Sequence, residues 1–107
     1  MIYKVIAIAN FRKEAKKLSK KYPSLKKEIF DLGEQLSKEP LLGVSLGNSC
    51  YKIRLSIASK GRGKSGGASV ITCIRVSKTI VYLLSIYDKS EKENISDVEL
   101  ESLLKEL

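Results

Sequence analysis

Two cations stand two positions apart in a segment with the pattern of a half-buried strand. Residues 51–58 (YKIRLSIA) alternate between apolar and polar side chains, so Lys52 and Arg54 project from the same face. Their charges repel each other, and no acid occurs between residues 40 and 87, so an anion on this face would stabilise the strand. The pair suits a phosphate, because Arg54 donates two parallel hydrogen bonds and Lys52 can exchange a proton.

A glycine-rich basic stretch follows this strand. Residues 59–67 read SKGRGKSGG, and their cations could gather phosphates together with the backbone amides. A nucleotide-binding P-loop is not indicated, because Gly61 lies too close to the Gly63-Lys64-Ser65 sequence for that motif. We predict that this stretch holds flanking phosphates through Lys60, Arg62, Lys64 and Ser65.

The sequence contains no histidine. It therefore lacks the side chain that most often acts as general acid or base, and most zinc sites are excluded. The two cysteines, Cys50 and Cys73, form no CxxC pair, so reduced thiols are expected. We expect no metal and no small-molecule cofactor, which leaves lysine, arginine, tyrosine, serine and carboxylate groups for any chemistry.

Hydrophobic periodicity predicts the elements that position these residues. Strands are indicated at residues 2–8, 51–58, 69–76 and 79–87, and helices at about 10–21 with Asn10 as N-cap, at about 25–38 after Pro23, and after the Ser96-x-x-Glu99 capping box. The predicted fold is α+β in the order β-α-α-β-β-β-α, with two N-terminal helices and a C-terminal helix packed on a small antiparallel sheet. We expect residues 1–107 to form a single domain.

The charge distribution favours a polyanionic partner. Lys and Arg outnumber Asp and Glu by 20 to 12, for a net charge of +8, and seven of the acids fall in residues 88–107. The apolar segment IYKVIAIA is too short to span a bilayer and lacks the features of a secretory signal. We therefore expect a cytoplasmic protein without membrane association, and RNA is the partner that the charge favours.

Three segments resemble toxins of the RelE/ParE superfamily, and within it the HigB-like branch of bacterial type II toxin–antitoxin systems. They are residues 47–55 (GNSCYKIRL), 63–68 (GKSGGA) and 81–90 (VYLLSIYDKS), and the resemblance covers essentially the whole chain. It implies a RelE-like fold and a ribosome-dependent, metal-independent endoribonuclease that cuts mRNA in the ribosomal A site. It also implies a cognate antitoxin that binds and silences the toxin.

The resemblance implies catalytic cations at Lys52, Arg54 and Lys89. We assign Lys52 as general base or electrostatic partner, Arg54 as a clamp on the scissile phosphate, and Lys89 as acid or stabiliser of the leaving oxygen. Tyr87 could stack on a base. The family pattern places a further catalytic arginine after Gly-Gly-x, but this position is Ser69 here.

Ser69 leaves three alternatives open. The chain could be a ribonuclease that yields 2′,3′-cyclic phosphate and 5′-OH ends, either attenuated by the missing charge or with Arg62 reaching toward the vacant position. It could be a ParE-like inhibitor of DNA gyrase, which shares the fold and needs no nuclease site. It could also be an RNA- or ribosome-binding module without catalysis.

Overall fold

The computed structural model describes residues 2–60 and 67–107. The strands and helices within these ranges are β1 (Lys4–Ala7), α1 (Ala9–Lys21), α2 (Leu25–Lys38), β2 (Val44–Gly47), β3 (Cys50–Leu55), β4 (Ala68–Arg75), β5 (Ile80–Asp88) and α3 (Asp97–Leu104). Single turns of 3₁₀ helix occupy Ala58–Lys60 and Val76–Lys78. The α+β class and the order of the predicted elements are confirmed, with one additional strand, β2.

The five strands form one sheet in the order β1-β5-β4-β3-β2. The last three strands form an antiparallel meander, in which β4 pairs with β3 on one side and β5 on the other. β1 runs parallel to β5, so the sheet is mostly rather than wholly antiparallel. The centre of the sheet is β4, which is buried along almost its whole length.

The strand β2 was not predicted from the sequence. All four of its residues are exposed, so no buried face marks it as a strand. It pairs with β3 through a tight hairpin in which Asn48 and Ser49 both adopt positive φ, at 52° and 62°. Positive φ at both central residues is the conformation that a two-residue turn needs to match the twist of its strands.

The helices α1 and α2 follow each other directly, joined through Pro23, and contact each other as predicted. Their spacing places Phe11, Leu25, Leu32 and Leu36 in the hydrophobic core. A groove of about 570 Å³ runs between the two helices and the sheet, with Phe11 and Leu83 among its lining residues. The two helices therefore cover the face of the sheet to which Leu83 belongs.

Asn10 has a different role from the predicted N-cap. The N-cap of α1 is Ile8, and Asn10 lies in the first turn. Its Nδ2 donates to the carbonyl of Leu84 at 3.0 Å, while a carboxylate oxygen of Glu14 accepts from the amide of Ile86 at 3.1 Å. β1 pairs with β5 only as far as residue 83. The side chains of Asn10 and Glu14 therefore provide hydrogen-bond partners for backbone groups of β5 beyond that point.

The helix α3 starts at the predicted capping box. The Ser96 hydroxyl accepts from the amide of Glu99 at 3.1 Å, and the Glu99 carboxylate accepts from the amide of Ser96 at 3.0 Å. Of the helices in the described part of the chain, none has the length and apolar character needed to cross a membrane.

Candidate nucleic-acid interface

The pairing register places three predicted site residues side by side across the sheet. Arg54 of β3 faces Ser69 of β4, and Ser69 faces Tyr87 of β5. Residues directly opposite each other in this way have Cβ atoms about 4.5–5.5 Å apart. Asp88, next to Tyr87, is bonded to Tyr22 at the end of α1, so Tyr87 and its row lie on the face away from α1 and α2.

Lys52 lies one step along the same face, and the shared face predicted for Lys52 and Arg54 is confirmed by the register. The ammonium of Lys52 donates to Oδ1 of Asn94 at 2.7 Å, and Lys52 is partly buried. Arg54 is exposed. Within residues 2–60 and 67–107, neither cation forms an ion pair with a carboxylate. Both charges are therefore available to an anionic ligand.

Lys89 follows the end of β5, close to the segment that enters β4. Its amide donates to the carbonyl of Gly67 at 3.3 Å, and the residue is partly buried. Gly67 has no space for a side chain, because a Cβ there would lie 2.2 Å from the carbonyl oxygen of Leu55. The second glycine of the Gly-Gly pair thus allows the start of β4 to approach the end of β3 closely, and the Lys89 amide bonds at this point.

Ser69 and Tyr87 form the floor of this face rather than its surface. Ser69 is 1% exposed and Tyr87 is 7% exposed, and the Tyr87 hydroxyl has no hydrogen-bond partner among the described residues. The ammonium of Lys92 lies 5.1 Å from the centre of the Tyr87 ring. The predicted stacking of Tyr87 on a base therefore requires Lys92 to leave the ring.

The structure places Lys60 away from this face. Its ammonium forms an ion pair with Asp88 at 2.8 Å, lies over the Tyr22 ring, and is only 12% exposed. The charge of Lys60 therefore compensates a buried carboxylate, and its role as a phosphate ligand stays a prediction. The other three residues predicted from the basic loop lie outside the described residues: Arg62, Lys64 and Ser65.

Asp88 is a buried carboxylate at the end of β5 that accepts hydrogen bonds from three other parts of the chain. Its carboxylate accepts from Lys60, from the Tyr22 hydroxyl at 3.0 Å, and from the amide and hydroxyl of Ser90 at 2.9 Å and 2.7 Å. Burial alone would raise its pKa, but the hydrogen bonds from Lys60, Ser90 and Tyr22 outweigh burial and hold the pKa well below its usual range. The carboxylate therefore stays ionised and fixes the turn that carries Lys89.

Two residues of this face escaped prediction from the sequence: Lys92 and Asn94. Both belong to the link between β5 and α3, which crosses the face and contacts Tyr87 and Lys52. Polar residues between a strand and a helix have the composition of any exposed loop, so no local pattern marks them. Within residues 2–60 and 67–107, no three His, Cys, Asp or Glu side chains are grouped so that they could hold a metal ion.

The family of this chain follows from a comparison with known protein families. A family model described as the RelE toxin of the RelE/RelB toxin–antitoxin system matches residues 3–107. The chain belongs to the RelE toxin family. Membership in the RelE family implies an antitoxin partner.

A solved structure agrees with the RelE fold. A double mutant of the E. coli toxin RelE in the free state matches this chain with a TM-score of 0.67 at 17% sequence identity. The match covers 100% of this chain and 99% of the E. coli chain. At this identity the likeness shows a shared fold, and it leaves the chemistry to the residues described above.

Proposed function

We propose that this RelE-family chain is a ribosome-dependent mRNA endoribonuclease of the HigB-like branch, weakened by Ser69 and silenced by a cognate antitoxin. The observation that supports it most directly is the exposed cationic face. Lys52 and Arg54 share this face and have no carboxylate ion pair among the described residues. Maintaining two like charges side by side is unfavourable in isolation and favourable when a phosphate lies between them.

The chemistry would use the RNA itself as nucleophile. The 2′-oxygen forms a bond to the adjacent phosphorus while the bond from phosphorus to the 5′-oxygen breaks, which gives a 2′,3′-cyclic phosphate and a 5′-OH end. The proton of the 2′-OH would pass to water while the ammonium of Lys52 stabilises the negative charge that develops, and Lys89 would give a proton to the leaving 5′-oxygen. Arg54 would stabilise the doubly charged phosphorane with two parallel hydrogen bonds.

A second candidate function rests on Ser69, whose hydroxyl provides no cation between Arg54 and Tyr87. Without this charge the face could bind RNA or the ribosome and cut nothing. The two functions differ in product, since only the ribonuclease leaves new 5′-OH ends. They agree in salt dependence, because both rely on phosphate contacts that weaken as salt rises.

Replacing Arg54 with alanine tests the proposed function. We expect cleavage of ribosome-bound mRNA to fall about 10- to 100-fold, because a hydrogen bond to a charged group contributes roughly 1.5–3 kcal/mol. Cleavage is measured by mapping 5′-OH ends in a reconstituted translation reaction. Lys78→Ala provides the matched control, since it also removes one positive charge but lies in the exposed turn between β4 and β5.

Two results would contradict the proposal. One is the absence of new 5′-OH ends combined with inhibition of purified DNA gyrase, which would identify a gyrase inhibitor. The other is ribosome binding without cleavage by both the wild type and Ser69→Arg, which would identify a binding module. Equal loss of cleavage in Arg54→Ala and Lys78→Ala would show that net charge, rather than the position of Arg54, matters.

A further inference from the structure

The two cysteines of the chain are register partners in neighbouring strands. Cys50 is the first residue of β3, and Cys73 lies opposite it in β4. Both are free thiols, and both side chains are fully buried. Their positions in the sequence predict no pairing, so it is the fold that brings the two sulfur atoms to the same face of the sheet.

The hydrogen bonds of the sheet show which kind of strand pair the cysteines form. The amide of Ile74 donates to the carbonyl of Ser49 at 2.9 Å, so the neighbouring pair is hydrogen-bonded. Pairs alternate along an antiparallel ladder, so Cys50 and Cys73 form a non-hydrogen-bonded pair, with Cα atoms about 4.5 Å apart and side chains close together. A disulfide spans Cα separations of about 4.4–6.8 Å, so this pair can close one without a change of register.

The sulfur atoms converge on one backbone group. The thiol of Cys50 lies 3.4 Å from the carbonyl oxygen of Asn48, and the thiol of Cys73 lies 4.0 Å from the same oxygen. Asn48 belongs to the turn that connects β3 to β2, a strand whose four residues are all exposed. Local opening of this edge hairpin would therefore give a small molecule access to both sulfur atoms.

Arg75 makes Cys73 the more reactive thiol of the two. Its Nη1 donates to the Cys73 sulfur at 3.3 Å. Interaction with the Cys50 thiol and the positive charge of Arg75 lower the pKa of Cys73 although burial opposes them, whereas interaction with Cys73 and burial raise the pKa of Cys50. Because the thiolate is the nucleophile, Cys73 reacts first and Cys50 remains as the thiol that completes the reaction.

From this geometry we infer that Cys50 and Cys73 are a redox-active dithiol that a peroxide oxidises to a cross-strand disulfide. The Cys73 sulfur bonds to one oxygen of hydrogen peroxide, the O–O bond breaks, and hydroxide leaves and takes up a proton, which gives a sulfenic acid at Cys73. The Cys50 sulfur then bonds to the Cys73 sulfur, and the hydroxyl group leaves with the Cys50 proton as water. Two thiols are thereby oxidised to one disulfide, and one peroxide is reduced to two waters.

The burial of the pair selects the oxidant and the bond changes the sheet. Both sulfur atoms are enclosed, so hydrogen peroxide, which is little larger than water, reaches them more readily than a bulky disulfide such as oxidised glutathione. The new bond ties β4 to β3, the strand that carries Lys52 and Arg54, and a thiol reductant reverses it. The inference is independent of the proposed ribonuclease, because the purified chain is oxidised without RNA.

Oxidation of the folded wild type tests the inference. The reduced protein is treated with hydrogen peroxide at pH 7, quenched with catalase, unfolded and alkylated with iodoacetamide. We expect an intact mass lower by two hydrogen atoms, no alkylation, and one cross-linked tryptic product that contains Cys50 and Cys73. Dithiothreitol should reverse all three results. The disulfide closes a loop of about 20 residues, so the oxidised protein should melt about 5–10 °C higher than the reduced protein.

Variants identify the role of each thiol. Cys50→Ala should stop at the sulfenic acid of Cys73, which dimedone captures, and Cys73→Ala should give about tenfold less dimedone adduct on Cys50. Arg75→Gln should slow disulfide formation by about tenfold, because less Cys73 is ionised. Lys78→Gln is the matched control, since it also removes one positive charge but lies in the exposed turn between β4 and β5. Thermal melting establishes that each variant is folded.

Three results would overturn the inference or part of it. Complete alkylation of both cysteines after peroxide treatment of the folded wild type, with oxidation only in urea, would show that the fold does not support the reaction. A linked product that melts at or below the temperature of the reduced protein would show that the bond forms only by distorting the sheet. An equal rate for Arg75→Gln and Lys78→Gln would exclude Arg75 as the group that activates Cys73.

Discussion

Ser69→Arg is expected to raise the rate of mRNA cleavage by about 10²–10³-fold. One preorganised donor to the transition state contributes roughly this factor, and arginine would add such a donor where serine has no charge. Residue 69 lies between Arg54 and Tyr87 in the register. An arginine side chain at this position would therefore extend from the sheet next to Arg54, the proposed phosphate clamp. The measurement is the rate of appearance of 5′-OH ends on ribosome-bound mRNA.

The burial of Ser69 makes a size control necessary. The side chain is almost fully enclosed, at 1% exposure, so a longer residue has to extend along the face toward solvent. Overpacking of this kind costs about 1–3 kcal/mol, which a domain with 5–15 kcal/mol of stability tolerates. Ser69→Met adds comparable length without charge and should destabilise the fold to a similar extent without raising cleavage. Urea unfolding of both variants establishes that each is folded in the assay.

A folded Ser69→Arg variant with unchanged cleavage would show that position 69 does not limit the reaction. An equal gain in Ser69→Met would also contradict the prediction, because the effect would then come from repacking around Tyr87. A gain confined to arginine would identify charge as the missing component. It would also support the proposal that Ser69 weakens the activity of this RelE-family chain.

Much of the fold follows from local patterns along the chain. The strand containing Lys52 and Arg54 could be predicted because its buried and exposed residues alternate, and alternation depends only on neighbours in sequence. The capping box at Ser96 is equally local, and both of its hydrogen bonds are present. The strand Val44–Gly47 could not be predicted in this way, because it buries neither face and is defined by its pairing with β3.

The site was harder to predict because its partners are distant in sequence. The charge of Lys60 is obvious in the sequence, but its partner Asp88 is 28 positions away, so the pairing that removes Lys60 from the cationic face is a property of the fold. Lys52 and Asn94 are 42 positions apart. Sequence patterns therefore identified Lys52 and Arg54 but missed Lys92, and only the three-dimensional structure shows which of the predicted cations are already paired.

Asp88→Ala is expected to lower the free energy of unfolding by about 3 kcal/mol. The Asp88 carboxylate is fully buried and compensates the charge of Lys60, and removing one partner of a buried ion pair costs about 3–5 kcal/mol. We expect the lower end of this range, because Lys60 is 12% exposed and can turn toward water once its partner is gone. Asp88→Asn retains an acceptor for Ser90 and should lose less, and Tyr22→Phe, which removes one donor, should lose least.

The pH dependence of these variants distinguishes the charge of Asp88 from its packing. The folded protein holds the pKa of Asp88 below its ordinary value of 3.8. The stabilisation is therefore complete above that value and is lost as the pH falls below it toward the folded pKa. Urea unfolding at pH 7, 4 and 2.5 should show a loss in the wild type that Asp88→Asn lacks. An identical acid-dependent loss in both proteins would mean that Asp88 does not provide it.

Because Asp88 fixes the turn before Lys89, Asp88→Asn should also slow cleavage at pH 7, whereas Tyr22→Phe should leave cleavage closer to wild type.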